Sequence, residues 1–232
     1  MLKLVVQTNF IEPNVHLMTH ILTSEEVLRN NSIVQIPAYN TYEYLLIITP
    51  PDALTERIMC IKEAFARKYK CPLALSTKPQ LLLLKFTQLN AAEERIVHRF
   101  KTIASAQAPI KIELKDFGSY PSHTIYINVT SKIPLLNLSH ALREVQPLLK
   151  FQPDIKPFFL SETHFTIARK LVPWQFEKAW LEYSNSSFTG RFIANKVTLV
   201  KRKVDHVTYQ HVADFEFLNE PVIASQGNLF GG

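Results

Sequence analysis

An α/β chain with two similar lobes is predicted by three features of the sequence. Apolar runs short enough for strands alternate with stretches of helical periodicity, that alternation is traversed twice, and equivalent points of the two passes keep a nearly constant separation. Tyr42 to His123, Gln80 to His164 and Ile110 to Lys196 are 81, 84 and 86 residues apart. The repeat is one of element order, since the residues themselves differ. The expected architecture is a pair of tandem β-α-β-α-β units. Two sheets face a central groove, with helices on their outer faces and the central strands opposed across it.

Residues 1–40 read as an irregular N-terminal extension, with one short helix suggested by the capping-box pair Thr23 and Glu26. From residue 41 onward the chain reads as a single bilobal domain, with lobes at roughly 41–118 and 119–218. The run from Tyr42 to Pro51 is a β-rich segment stopped by two prolines, and Leu54, Ile58, Ile61 and Phe65 then mark one face of a helix. Leu81 to Phe86, preceded by Pro79 and Gln80, is apolar on both faces and too short for a helix, which suits a buried strand. Asn90 with Glu93 reads as the cap of a helix carrying Ile96, Val97, Phe100 and Ile103, and Ile110 to Leu114 alternates as a strand.

The second pass begins with the strand His123 to Val129 and a helical stripe of Leu138, Ala141, Leu142, Val145 and Leu149. His164 to Lys170 is its second strand, Pro173 opens a helix with Phe176, Trp180 and Tyr183 on one side, and Lys196 to Lys203 closes the unit. Val212 to Leu218 is expected to pair with that closing strand as a hairpin.

Composition excludes several classes. With 47% hydrophobic and 20% charged residues the chain has the make-up of an ordinary globular protein. No run approaches the roughly 18 to 20 apolar residues of a membrane span. The N-terminus lacks the apolar core and small-residue cleavage site of a secretory signal, so a cytoplasmic protein with no membrane partner is expected. Cys60 and Cys71 lack the spacing of a disulfide scaffold and read as reduced thiols. His16 and His20 are four apart but have no third ligand, and the five glycines form no phosphate-cradling loop, so neither a metal nor another cofactor is implied. A net charge of +6 favours a polyanionic partner weakly, because the basic residues are spread along the chain.

One strand carries chemistry. On extended chain His164 and Thr166 project to one face while Phe165 and Ile167 enter the core. An imidazole that moves a proton and a hydroxyl that holds a phosphate oxygen make a sensible pair for phosphoester chemistry. On those residues alone a polar strand end is the commoner reading.

In the tandem frame, however, His164-Phe165-Thr166-Ile167 resembles the H-x-T-x motif of the 2H phosphoesterase superfamily, which includes 2′-5′ RNA ligase-like proteins and cyclic phosphodiesterases. The resemblance extends over roughly Tyr42 to Leu218, through element order, the turn at Phe117 to Pro121 and the closing hairpin. It implies a bilobal fold with one such motif on the central strand of each lobe. One histidine acts as general base and the other as general acid. It also implies a phosphate-bearing ligand, with a nucleotide or RNA as the candidates, and His164 and Thr166 as the catalytic residues of one lobe.

The other lobe departs from that pattern. Gln80 stands where the first histidine belongs and Leu82 where the first threonine belongs. Glutamine can donate a hydrogen bond to phosphate but cannot exchange a proton near neutral pH. The resulting expectation is a diverged, monomeric phosphate-ligand binder with weak or absent phosphodiesterase or ligase activity. The alternatives are a non-catalytic interaction protein that retains the fold, or a full enzyme in which another residue supplies the missing proton transfer. Tyr44 and Tyr126, on the first strands of the two units, are candidates to stack a base beside the phosphate. Arg169 has the opposite parity to His164 and is not placed in the groove. His123 falls at the groove rim and His206 in the turn before the last strand, where its H-x-T string is read as coincidence.

Overall fold

The computed structural model describes residues 40–150, 155–160, 163–204 and 206–220. Thr23, Glu26, His16 and His20, with the rest of the N-terminal extension, lie outside the described residues. In chain order the elements are β1 (Thr41–Ile48), α1 (Asp52–Lys68), β2 (Leu81–Leu89), α2 (Glu93–Ser105), β3 (Ile110–Tyr120) and β4 (Thr124–Val129). There follow α3 (Lys132–Leu142), the short α4 (Gln146–Leu149), β5 (Phe158–Phe159), β6 (His164–Arg169), α5 (Pro173–Tyr183), β7 (Thr189–Ala194), β8 (Lys196–Lys203) and β9 (Gln210–Glu216). No helix among the described residues is long and apolar enough to cross a membrane.

Two antiparallel sheets face a central groove, with helices on the outer faces, as the element order predicts. The first sheet runs β5-β2-β1-β8-β9 and the second β6-β4-β3-β7. Each draws strands from both passes of the sequence. β3, which closes the first pass, pairs with β4 and β7 in the second sheet, and β8, which closes the second, pairs with β1 in the first. The boundary expected near residue 118 therefore does not separate two sheets. β8 and β9 do form the expected hairpin.

The helices are exchanged in the same way. α1 packs against the second sheet, where Leu54 lies 3.0 Å from the site a Gly190 Cβ would take and Arg57 donates to the Thr189 carbonyl at 3.0 Å. α5 joins it there: Phe65 meets Tyr183 at 5.5 Å, and Gln175 donates to the carbonyls of Tyr69 and Lys70 just past the end of α1. On the first sheet, Phe100 of α2 packs against Phe86 and Phe215, and Gln88 reaches the Leu148 carbonyl of α4.

Two local readings change. α2 begins without a side-chain cap, because the residues expected to form one are committed elsewhere. Asn90 and Glu93 both accept from Lys201, and Glu93 also accepts from Tyr44 at 2.9 Å. The second-pass helical stripe is broken into α3, a short 3-10 turn at Arg143–Val145 and α4. Its apolar residues are nonetheless buried at Leu138, Leu142, Val145 and Leu149.

The inner face of α1 holds Leu54, Ile58 and Phe65, but its fourth fully buried member is Lys62, at 1% exposure, while Ile61 is partly buried. The Lys62 amine donates to the Thr77 carbonyl at 2.5 Å. Burial, and then the positive charge of Arg169, lower its pKa from 10.5 to about 8. A base with a depressed folded-state pKa binds fewer protons in the native than in the unfolded chain between those two values, so stability rises with pH there. Across pH 8 to 10.5, wild type is expected to gain stability relative to Lys62→Met in urea unfolding. A stability difference that stays flat over that window would show that burial does not lower the Lys62 pKa.

Candidate functional site

The geometry of both motif strands is set by a β-bulge. Between β1 and β2 the register passes from Leu46 opposite Leu84 to Ile47 opposite Leu82, leaving Leu83 as an extra residue. Between β4 and β6 it passes from Ile125 opposite Ala168 to Tyr126 opposite Thr166, leaving Ile167 extra. A bulge puts two consecutive side chains on one side and inverts the alternation beyond it. Leu83 and Leu84 are accordingly both buried, and so are Ile167 and Ala168.

The two bulges match the strands to each other independently of any residue likeness. Ile167 corresponds to Leu83, and so Thr166 corresponds to Leu82, His164 to Gln80 and Arg169 to Lys85. This is the same offset of 84 residues that the element order gives. It puts Gln80 and Leu82 in the positions of a histidine and a threonine, both half-buried on the groove side.

The bulge also corrects the reading of Arg169. Directly opposed residues of an antiparallel pair share a face. Asn128, Tyr126 and Thr124 of β4 lie opposite His164, Thr166 and Arg169 of β6, so all six side chains occupy one face. Simple alternation misses Arg169 because it assumes an unbroken strand. The signal available in the sequence is the apolar pair Ile167-Ala168, where alternation calls for one polar residue.

Tyr44 is not a groove residue. It is 1% exposed, stacks on Phe86 at 4.8 Å and donates to Glu93, and burial together with that carboxylate raises its pKa. It shares the core face of β1 with Leu46 and Ile48. Tyr126, in contrast, packs against His164 with ring centroids 4.6 Å apart. Tyr120, which the sequence reading did not single out, places its hydroxyl 3.4 Å from His164 Nδ1 and its ring edge-on to the imidazole at 5.5 Å. His123 is exposed at the turn beyond Tyr120 and stacks on that ring at 6.2 Å, and His206 is exposed beyond β8.

Gly118 makes this cluster possible. It lies opposite Tyr126 in the β3–β4 ladder, and a Cβ there would sit 2.5 Å from Tyr126 Cε2 and 2.7 Å from Asn128 Oδ1. The rings of Tyr120 and Tyr126, with Asn128, Lys132, Leu136, Thr163 and His164, line a pocket of about 290 Å³. A larger depression of about 550 Å³ between α1 and the β3–β7 edge contains none of these groups. Volume alone does not pick out the site; the convergence of ionisable and aromatic side chains does.

The two halves of the groove differ in charge. On the first sheet Glu43 binds Lys85 at 2.5 Å, Arg202 at 2.7 Å and the Tyr209 hydroxyl. Burial would raise the Glu43 pKa, but the hydrogen bonds and charge of these partners outweigh it and hold the carboxylate below its usual range. The cation equivalent to Arg169 is thus neutralised in place. Arg169 itself makes no ion pair among the described residues, and its charge is felt by Lys62 and Tyr209.

Gly118→Ala is expected to displace the Tyr126 ring and cost about 1 to 3 kcal/mol, read by denaturant unfolding and by a change in the His164 ring resonances. Unchanged resonances would mean that Tyr126 does not hold the imidazole.

Comparison with solved structures agrees with the fold. E. coli LigT in its apo form is similar over 76% of this chain and 98% of its own, with 15% identity and a TM-score of 0.57. E. coli LigT complexed with 3′-AMP covers 77% and 98%, with 15% identity and a TM-score of 0.54. TT0787 of Thermus thermophilus covers 77% and 100%, with 14% identity and a TM-score of 0.53. No curated protein matches the sequence significantly. The pattern of the 2′-5′ RNA ligase superfamily matches residues 50–206, a span that contains both bulged strands and the His164 motif, and the chain belongs to that superfamily.

Proposed function

We propose that this protein binds a phosphate-bearing ligand, a nucleotide or an RNA end, through His164, Thr166 and Arg169, and that it turns over cyclic phosphodiesters weakly or not at all. The observation that carries the reading is the correspondence of the bulges, which sets Gln80 and Leu82 against His164 and Thr166. Three donors on one face suit a phosphate. The imidazole handles a proton, the hydroxyl holds a non-bridging oxygen and the guanidinium supplies charge and directed hydrogen bonds. The 3′-AMP complex of LigT supports the ligand class by likeness of fold.

Two-histidine catalysis needs a proton taken from the attacking oxygen and another given to the leaving one. Gln80 can do neither, and loss of one such partner costs about 10²- to 10⁴-fold in rate. Leu82 adds an apolar contact where a phosphate oxygen would want a donor. The same feature, together with the neutralised Lys85, favours a second reading in which the chain is a binding or interaction protein with no turnover. On either reading it acts as a single bilobal domain, monomeric and cytoplasmic.

The test is a phosphodiesterase assay on 2′,3′-cyclic nucleotides and on short RNAs ending in a cyclic phosphate, with His164→Ala and the double substitution Gln80→His/Leu82→Thr. The expected result is a trace activity lost in His164→Ala and raised about 10²-fold or more by the double substitution. Activity that survives His164→Ala would remove His164 from the chemistry, and no activity in wild type would leave the binding reading. Arg169→Ala is expected to weaken inorganic phosphate binding about tenfold or more, within the range of a charge-assisted hydrogen bond, measured by calorimetry. Unchanged affinity would exclude Arg169 from the phosphate site.

A further inference from the structure

Two turns meet beyond the C-terminal end of β6. The first follows α1 and runs from Lys70 through the 3-10 turn Pro72–Leu75, which packs on β6; the second joins β6 to α5 through Lys170 and Val172. Gln175 ties them together, accepting from the Val172 amide at 3.2 Å and donating to the Tyr69 and Lys70 carbonyls at 2.9 and 3.2 Å. Each turn carries apolar side chains into solvent: Leu73, Leu75, Val172 and Trp174 are 44–53% exposed. The same segments hold Lys70, Lys78, Lys170 and Lys178, all exposed and none in an ion pair among the described residues, with the Lys178 ammonium 5.9 Å from the Trp174 ring centroid. No acidic residue occurs between Glu63 and Glu93 or between Glu162 and Glu177. On α5, Glu182 is held by Lys68 and Tyr69, which leaves Glu177 as its unpaired carboxylate. Lys70 and Lys170 both have a left-handed backbone, with φ of 50° and 56°, a conformation that suits glycine and strains lysine. An outlier of that kind points to a function for the side chain it carries.

The backbone of both turns is satisfied from within. Besides the Gln175 contacts, the Cys71 amide donates to Ala66, Ala74 to Cys71, Ser76 to Leu73 and Leu171 to His123, and the buried Lys62 amine donates to the Thr77 carbonyl. The turns thus offer no strand edge for a partner chain to pair with, and their side chains can enter an apolar medium without stranding these groups. We infer that this tip adsorbs the protein to an anionic lipid bilayer. The two leucines, Val172 and Trp174 enter the boundary between headgroups and acyl chains, and the lysines lay their stems on the apolar surface with their ammonium groups at the acidic headgroups. The expectation of no membrane partner rested on the lack of a span and of a secretory signal, and neither bears on adsorption to a surface. The contact does not depend on the phosphate site proposed above.

The test is co-sedimentation of the full chain with vesicles of phosphatidylcholine alone and of phosphatidylcholine and phosphatidylserine in equal parts. Wild type is expected to sediment with the anionic vesicles, less so as salt rises, and not with the neutral ones. Lys70→Gly and Lys170→Gly each lower the partition coefficient about fivefold, the effect of one lysine near such a surface. Glycine relieves the left-handed backbone, so a loss of fold does not explain that result. Leu73→Ser/Trp174→Ser abolishes sedimentation. In Trp180→Phe, where Trp174 is the remaining tryptophan, its emission shifts to the blue on adding anionic vesicles. Wild type that stays in solution with both vesicles would overturn the inference, and so would sedimentation that neither glycine substitution weakens. A Trp174 shift produced by polyglutamate and not by vesicles would overturn it in favour of an acidic protein partner, and one produced only by polyuridylate would overturn it in favour of RNA.

Discussion

One extra residue in each motif strand decides which side chains reach the groove. Without Ile167, Arg169 would point into the core beneath α1, and its guanidinium would need a partner that the apolar interior does not offer. With it, the strand delivers three polar side chains to one face while Phe165, Ile167 and Ala168 remain buried. The neighbouring chain has adapted to this arrangement. Thr124, Tyr126 and Asn128 form the opposing row, and Gly118 leaves the space that the Tyr126 ring fills. The site is therefore held on paired strands, which fix side chains more closely than a loop does.

The first sheet carries the same bulged scaffold with different side chains on it. Its bulge at Leu83 is intact, so Gln80, Leu82 and Lys85 take up the positions of His164, Thr166 and Arg169. Gln80 and Leu82 offer neither a titratable group nor a hydroxyl, and Lys85 is bound to Glu43. Of the two corresponding cations, Lys85 is ion-paired and Arg169 makes no ion pair among the described residues. The two bulged strands are thus alike in backbone register and unlike in the side chains they present.

How far the sequence reveals this differs from element to element. Strand and helix order were legible because apolar spacing records burial directly, as in the runs at Leu81 and His164. The pairing of strands was not, because β3 and β8 look the same in sequence whichever sheet they join. The same locality limits the site. His164 and Thr166 follow from alternation over three residues, but Tyr44 and Tyr126 cannot be told apart by pattern, since each is a tyrosine on a mostly apolar strand. Only the tertiary partners separate them: Glu93 and Phe86 for the first, His164 and Gly118 for the second. Capping at Asn90 fails for a related reason, because Lys201 arrives from far along the chain and takes the side chains that a local cap would use.

The exchange of strands between the sheets governs the order in which the chain can be built. β1 and β2 leave the ribosome early, but the first sheet lacks β8 and β9 until nearly all of the described chain has been made, and the second sheet waits for β6 and β7. During synthesis the apolar strand at Leu81 is paired on one side only, a state that invites adhesion between nascent chains. The groove can therefore be complete only after β6 to β9 have been made, and β1 and β2 lack part of their cover until then.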